Sequence, residues 1–341
     1  MMKPPHGLKT FCSLAILFLL SACGASPAPI PPTTSPKPLI PLSAQLSWEH
    51  TIEFSGFQAA EKEGYYTEAG LAVELRPAFN AEGVIVEAIG AVVAGEADFG
   101  VASSDSLMVA RAAGQPVVAI AAIYQRSPNA LLSLAGTGVT RPSDLVGKTV
   151  TVSGASNIYL RAVLKNTGVD ETSVNIVDRT DFSTGELTSG AVDAIDAYIT
   201  NEPSTLEREG IAYNLMVFAD FGVDGYANII FVTEDTLTNR PELVEAFLRA
   251  TFKGYQIAVD DPEKAATLSV EYNPALIYDN ELTNMRVSVP LLHPNGSEIG
   301  MMTPTLWELA YTILRDAEIV PVDFDVTEAY TLSFLNTIYN R

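Results

Sequence analysis

Cysteine is almost missing from this chain: 341 residues hold two, Cys12 and Cys23, both near the N-terminus. From Gly24 onward there is no thiol, so no disulfide, thiolate nucleophile or cysteine-held metal can form there. Histidine is nearly as scarce. His6, His50 and His293 lie far apart, without a Cys or carboxylate pattern of metal-ligand spacing. No Gly-x-Ser-x-Gly or phosphate loop occurs, and Gly136-Thr-Gly138 lacks the third glycine of a dinucleotide fingerprint, so a binding role is expected before a catalytic one. Basic residues are few as well, 20 against 41 acidic ones. A surface so acidic repels phosphate backbones and anionic headgroups, which argues against nucleic acid and against direct membrane docking.

What is present begins at the N-terminus. Lys3 and Lys9 precede the apolar run Phe11 to Leu20, too short to span a bilayer, and the run ends in Leu20-Ser21-Ala22-Cys23. That is the pattern of an export signal over residues 1–22. Its ending resembles the lipobox of bacterial lipoproteins, which implies that Cys23 is diacylated, becomes the mature N-terminus and anchors the protein to the cell membrane, facing the periplasm or exterior. The plainer alternative is a secretory signal that happens to end near a cysteine. Residues 23–44, rich in Ala, Ser, Thr and Pro up to Pro41, cannot bury a core and are expected to form an extended tether. Cleavage removes two lysines and no acid, leaving 18 basic against 41 acidic residues, a formal charge of −23. The acyl chains must then supply the attachment.

About 300 residues remain, enough for two lobes, and no other stretch is apolar enough to cross a membrane. Strand-like and helix-like patterns alternate, which predicts α/β architecture with mainly parallel sheets. Leu71-Ala-Val-Glu-Leu75 alternates as a strand; Ile85, Ala88, Ile89, Val92 and Val93 recur at helical spacing within 82–94; Gly95 ends that helix, and Asp98-Phe-Gly-Val-Ala102 opens the next strand. The phrase returns 95 positions later, with Gly190 and Asp193 ahead of Ala194-Ile-Asp-Ala-Tyr198. It is a common helix-to-strand turn, but its matched surroundings predict two similar lobes: lobe I over 45–131, lobe II over 132–227, then a return to lobe I and C-terminal helices over 228–341, with Pro241 in the first turn of a long helix.

The stretch Trp48 … Gly56-Phe-Gln-Ala-Ala-Glu-Lys-Glu-Gly64-Tyr-Tyr-Thr-Glu-Ala-Gly70-Leu resembles the opening of solute-binding proteins for thiamine-pyrimidine precursors, nitrate, sulfonates and riboflavin. Gly95–Ala102, Ala112-Ala-Gly-Gln-Pro-Val-Val118 and Arg141-Pro-Ser-Asp-Leu-Val-Gly-Lys-Thr-Val150 continue the likeness. It implies a type II periplasmic-binding-protein fold, two lobes joined by two crossing strands, and a monomer that delivers its ligand to an ABC permease and ATPase. Pyrimidine-binding members resemble Trp-x-Pro-Asn-x-x-His, whereas here the loop reads Trp48-Glu-His50-Thr-Ile-Glu53-Phe54; this, with Tyr124-Gln-Arg-Ser-Pro128 and Thr200-Asn-Glu-Pro203, is closer to the riboflavin-binding members. Riboflavin would then be transported ligand rather than cofactor. A thiamine-pyrimidine synthase of the same fold carries a cysteine-rich motif that this chain lacks, and a sensing domain would need an attached signalling module.

The residues expected around the ligand are Trp48, His50, Glu53, Phe54, Ser104, Tyr124, Asn157, Tyr159, Tyr198, Asn201, Glu202 and Tyr226, with Asn228 nearby. Aromatic faces sandwich a planar heterocycle, and amides and carboxylates read its ring N–H and C=O groups. Any of these aromatics can equally serve lobe packing, His50 a surface or core role, and Asp105 a helix cap. A nitrate or sulfonate site would want a central cation, and only Arg126 and Arg161 stand close in sequence.

Overall fold

The computed structural model describes residues 38–80 and 82–341. The export signal, Cys23 and the first part of the tether lie outside them. Ten strands follow in order: β1 (Ile40–Gln45), β2 (Leu71–Arg76), β3 (Phe99–Ala102), β4 (Val117–Tyr124), β5 (Asn129–Leu134), β6 (Thr149–Val152), β7 (Asn175–Asp178), β8 (Ala194–Tyr198), β9 (Tyr213–Val217) and β10 (Ala227–Thr233). They form two sheets of one plan, β2-β1-β3-β10-β4 in lobe I and β7-β6-β8-β5-β9 in lobe II. In each, the first three strands are parallel, and the fourth, entered from the other lobe, runs antiparallel to both neighbours. The sheets are therefore mixed rather than mainly parallel, because a chain that crosses between lobes arrives in the opposite sense.

The repeated Gly-x-x-Asp has a physical role in this plan. Gly95 and Gly190 end their helices in the left-handed region at φ 74° and 75°. Asp98 then accepts the Ser43 amide of β1 at 2.9 Å, and Asp193 accepts the Thr149 amide of β6 at 2.9 Å. Each aspartate fastens the start of one strand to its parallel neighbour, so the repeat builds the lobes and sits at the far end of the strands from the cleft.

Several boundaries differ from those expected. β1 begins at Ile40, inside the proposed tether, because pairing with β2 from Ile40–Leu71 onward gives those residues partners. The helix expected over 82–94 spans only Ala88–Val93: Asn80 Oδ1 accepts the amides of Glu82 and Val84 at 3.1 and 2.9 Å, and Gly83 at φ 73° coils the chain ahead of it. The crossings fall at 125–128 and 218–226 rather than near 131 and 228.

Lobe I is centred on Phe57, Tyr66, Phe99 and Phe247, the last stacked on Phe99 with centroids 3.9 Å apart. Helices Ser55–Lys62 and Pro241–Asp260 touch backbone to backbone, since a Cβ on Gly254 would collide with the Gly56 carbonyl. β4 is an edge strand yet wholly buried, because the C-terminal chain covers it: Thr331 N–H donates to Ala119 O and Ala122 N–H to Gly300 O, both at 2.9 Å. Helix Pro304–Asp316, in the C-terminal part of the chain, does more than pack on lobe I. Trp307, Ala310 and Leu314 enter that core, while Leu309 and Ile313 lie against the lobe II cluster of Val150, Leu160 and Phe218. Among the described residues no helix is long and apolar enough to cross a membrane.

Candidate functional site

A cavity of about 390 Å³ opens between the lobes at the carboxyl ends of the parallel strands, within the usual range for small-molecule sites. Ser47 and Trp48 follow β1, Ser103 and Asp105 follow β3, Ser153 and Ser156 follow β6, Arg179 and Phe182 follow β7, Tyr198 to Glu202 end and follow β8, and Asn228 lies in β10. At its mouth Trp48 stands edge-on to Phe79 of its own lobe (5.4 Å between centroids, 80°) and to Phe182 of lobe II (5.6 Å, 66°). Phe182 is half exposed, and the Arg179 guanidinium lies over its ring at 5.7 Å.

Arg179 is the one cation among the described lining residues. It is buried, and four of its five N–H donors are engaged: Nε on Asp181 O (2.9 Å), Nη2 on Ser183 O (3.0 Å), and Nη1 on the Asp196 carbonyl and on Asp196 Oδ1 (3.0 Å), with Glu202 Oε1 at 3.5 Å. It ties the Phe182 loop to β8 and the Glu202 turn and has little left to offer a ligand anion. Sharing the cavity lining with it are Glu53, Glu87, Asp105, Asp196 and Glu202. Burial raises the pKa of Glu53 against its donors Asn228 and Thr51, raises that of Asp105, and pushes Glu202 up to about 7 despite Arg179. A cleft so composed favours neutral or donor-rich ligands over anions. Asn228 holds a left-handed backbone at φ 52° and donates Nδ2–H to Glu53 Oε2 at 2.7 Å, the local strain that recurs at functional sites.

Of the twelve residues singled out from sequence, the cavity brings together Trp48, Glu53, Tyr198, Asn201 and Glu202. The other seven lie elsewhere. The His50 ring packs against Tyr272 at 5.2 Å, and Phe54, on the opposite side of a tight turn from Glu53, is fully buried in the lobe I core. Ser104 opens helix Ser104–Ala112 but turns its Oγ to the Tyr226 amide at 3.1 Å, leaving Ser103 and Asp105 to the cleft. Tyr124 is buried with its hydroxyl on Ser288 Oγ at 2.9 Å. Tyr226 sets its hydroxyl against Thr303 and its ring beside Trp307. Asn157 accepts from Arg161 Nε at 2.8 Å and faces a second cavity between helices Gly154–Thr167 and Pro304–Asp316. Tyr159 donates its hydroxyl to Asp105 Oδ1 at 3.0 Å, so it holds a cleft residue from the other lobe without lining the cleft. Arg126 and Arg161 are paired with Asp224 and Glu171, away from the cavity. Arg179, Phe182 and Asp196 are not among the residues the sequence singles out; the available signal was their place just after β7 and within β8, beside the carboxyl ends of parallel strands.

Two α/β lobes of one strand order, joined by two crossings and meeting at the carboxyl ends of their strands, make a two-lobed periplasmic-binding-protein fold. The periplasmic aliphatic sulphonate binding protein SsuA from Escherichia coli shares it, with a TM-score of 0.67 and 14% identity over 85% of this chain and 91% of that one. The NMT1/THI5-like family model matches residues 51–265, and the chain belongs to that family. It is 27% identical to the riboflavin-binding protein RibY of Chloroflexus aurantiacus over 94% of this chain and 96% of that protein, and 27% identical to the formylaminopyrimidine-binding protein of Halalkalibacterium halodurans over 86% and 89%.

Proposed function

We propose that this protein is the solute-binding component of an ABC importer, that it captures riboflavin between its lobes and passes it to a membrane permease served by an ATPase, and that diacylated Cys23 holds it at the membrane. The observation that carries this reading is the pairing of an aromatic mouth, Trp48 with Phe79 and Phe182, with an acid- and amide-lined interior whose one cation is already paired with Asp196 and Glu202. A flat isoalloxazine suits the mouth. Its phosphorylated form would bring negative charge toward Glu53, Asp105 and Glu202, so free riboflavin is the consistent choice. The likeness to RibY over nearly the whole chain supports it.

A second reading is a thiamine pyrimidine precursor such as formylaminopyrimidine, favoured by the same carboxylates, which suit exocyclic amino groups, and by the other relative. A synthase has no cysteine from Gly24 onward to work with. Titration of the purified protein with riboflavin, flavin mononucleotide and formylaminopyrimidine separates the alternatives: quenched riboflavin fluorescence is the expected result, and tight pyrimidine binding with no flavin response overturns it.

A further inference from the structure

A flat ring held at the mouth leaves the interior of the cleft unexplained. Glu53 reaches it from the turn after β1, Asp105 from the helix after β3, and Tyr198 and Glu202 from the end of β8, so acceptors enter from both lobes and from three separate segments. Glu53 already receives Thr51 Oγ1 at 3.1 Å and Asn228 Nδ2 at 2.7 Å, while Asp105 receives Tyr159 across the lobes at 3.0 Å together with the Ser103 hydroxyl and the amides at the start of its own helix. A carboxylate has about four acceptor positions, so Glu53 keeps room for further donors, while Asp105 is largely engaged and borders the same wall. Tyr198 lines the cavity, its amide donates to Glu202 Oε2 at 2.9 Å, and its hydroxyl has no hydrogen-bond partner among the described residues. Asn129, Ser103 and Ser156, which can both donate and accept hydrogen bonds, complete this wall.

Donors on a rigid heterocycle all lie in the one plane of its ring. Hydroxyls along a flexible chain point to several sides and both donate and accept, which is what acceptors drawn from three segments require. Resting on the riboflavin reading, we propose that the interior wall of Glu53, Asp105, Tyr198 and Asn228 is a polyol subsite that takes the polyhydroxylated side chain of the ligand, while the aromatic mouth takes its ring. Burial, which raises the pKa of Glu53 and of Asp105, makes hydroxyl donors more valuable there, since each donor offsets lost hydration.

The test compares riboflavin with lumiflavin, which keeps the ring and replaces the ribityl chain by methyl, on the wild-type protein and on Glu53→Gln. Wild type should bind riboflavin at least about tenfold more tightly than lumiflavin, and the ratio should shrink severalfold in Glu53→Gln, because a neutral amide is a weaker acceptor than a carboxylate. The wild-type comparison needs no variant to fold, and circular dichroism checks the substitution. Equal affinities for the two flavins in wild type overturn the subsite and leave the riboflavin reading standing. Binding of neither flavin overturns both.

Discussion

The contact between Trp48 and Phe182 gives the most exacting test of the cleft, because it joins the two lobes and borders the proposed ring site. Trp48→Ala removes one aromatic face from the ligand, about 1–3 kcal/mol, or roughly five- to 150-fold in affinity. It also removes the edge-on pair across the lobes, 5.6 Å between centroids, a geometry worth about 0.5–1.5 kcal/mol. Phe182→Ala removes that same pair from the other side, and with the ring half exposed its loss should cost little folding energy and roughly two- to twelvefold in affinity. The double variant loses the pair once, so its loss should fall short of the sum of the single losses by about 0.5–1.5 kcal/mol. The assay is quenching of riboflavin fluorescence at fixed pH and salt, with dissociation constants for all four proteins. Unchanged affinity in Phe182→Ala, or strict additivity in the double variant, would refute the inter-lobe role of the contact.

Arg179→Met leaves Asp196 and Glu202 buried without their cation, which should cost about 3–5 kcal/mol and lower the melting midpoint by roughly 6 °C or more; a midpoint within error of wild type would contradict the pairing. Glu281 is buried, accepts the Ile52 amide at 2.8 Å and has its pKa pushed up to about 7 by burial. Its folded form favours the proton, so stability should fall as pH rises from the ordinary value near 4.5 to 7, by about 3 kcal/mol, and Glu281→Gln should flatten much of that slope in urea midpoints taken from pH 5 to 8. Glu202, also raised to about 7, adds a slope of the same sign in both proteins, so parallel curves would show that Glu281 does not titrate as argued. Cys23→Ser should move the protein from the membrane fraction to the soluble one, and continued membrane attachment would refute the anchor.

Local signals were the legible ones. Gly95, Gly190 and Pro241 mark helix ends because their backbone limits act within a few residues, and Asp98 and Asp193 recur because each lobe needs the same strand clamp. Trp48, Glu53, Tyr198 and Glu202 were legible because they follow strand ends, where α/β sheets bind ligands. Tyr124 and Tyr159 show the limit. Whether a tyrosine near a strand end faces a cleft or a neighbour depends on Ser288 in one case and on Asp105 of the other lobe in the other, partners that lie far off in sequence. Arg179 and Phe182 stood in a polar loop after a short, mostly exposed strand, with nothing local to distinguish them from a solvated surface.

The hydrogen bonds of the two crossings define where the lobes could turn against each other. Gln125 is pinned to lobe I: its amide donates to Leu291 O, its side-chain nitrogen to Leu292 O and Glu298 O, and its Oε1 accepts from Ser297. Pro128 is pinned to lobe II by the Ile199 amide at 3.0 Å. In the second crossing Val223 is held by Phe218 O in the lobe II core, while Tyr226 and Ser104 exchange backbone and hydroxyl bonds in lobe I. Between these anchors lie Arg126–Ser127 and Asp224–Gly225, with Ser127 tied to the start of β5, since its Oγ accepts from the Asn129 amide at 3.2 Å and from Asn129 Nδ2 at 2.8 Å. These dipeptides are themselves joined, since Asp224 accepts the Ser127 amide at 2.9 Å and the Arg126 guanidinium at 3.3 Å. Two short crossings side by side, coupled through one carboxylate, offer a hinge axis for bending between the lobes. Opening about that axis would pull Tyr159 from Asp105 and Phe182 from Trp48, so the full set of groups around the proposed ligand exists only with the lobes together.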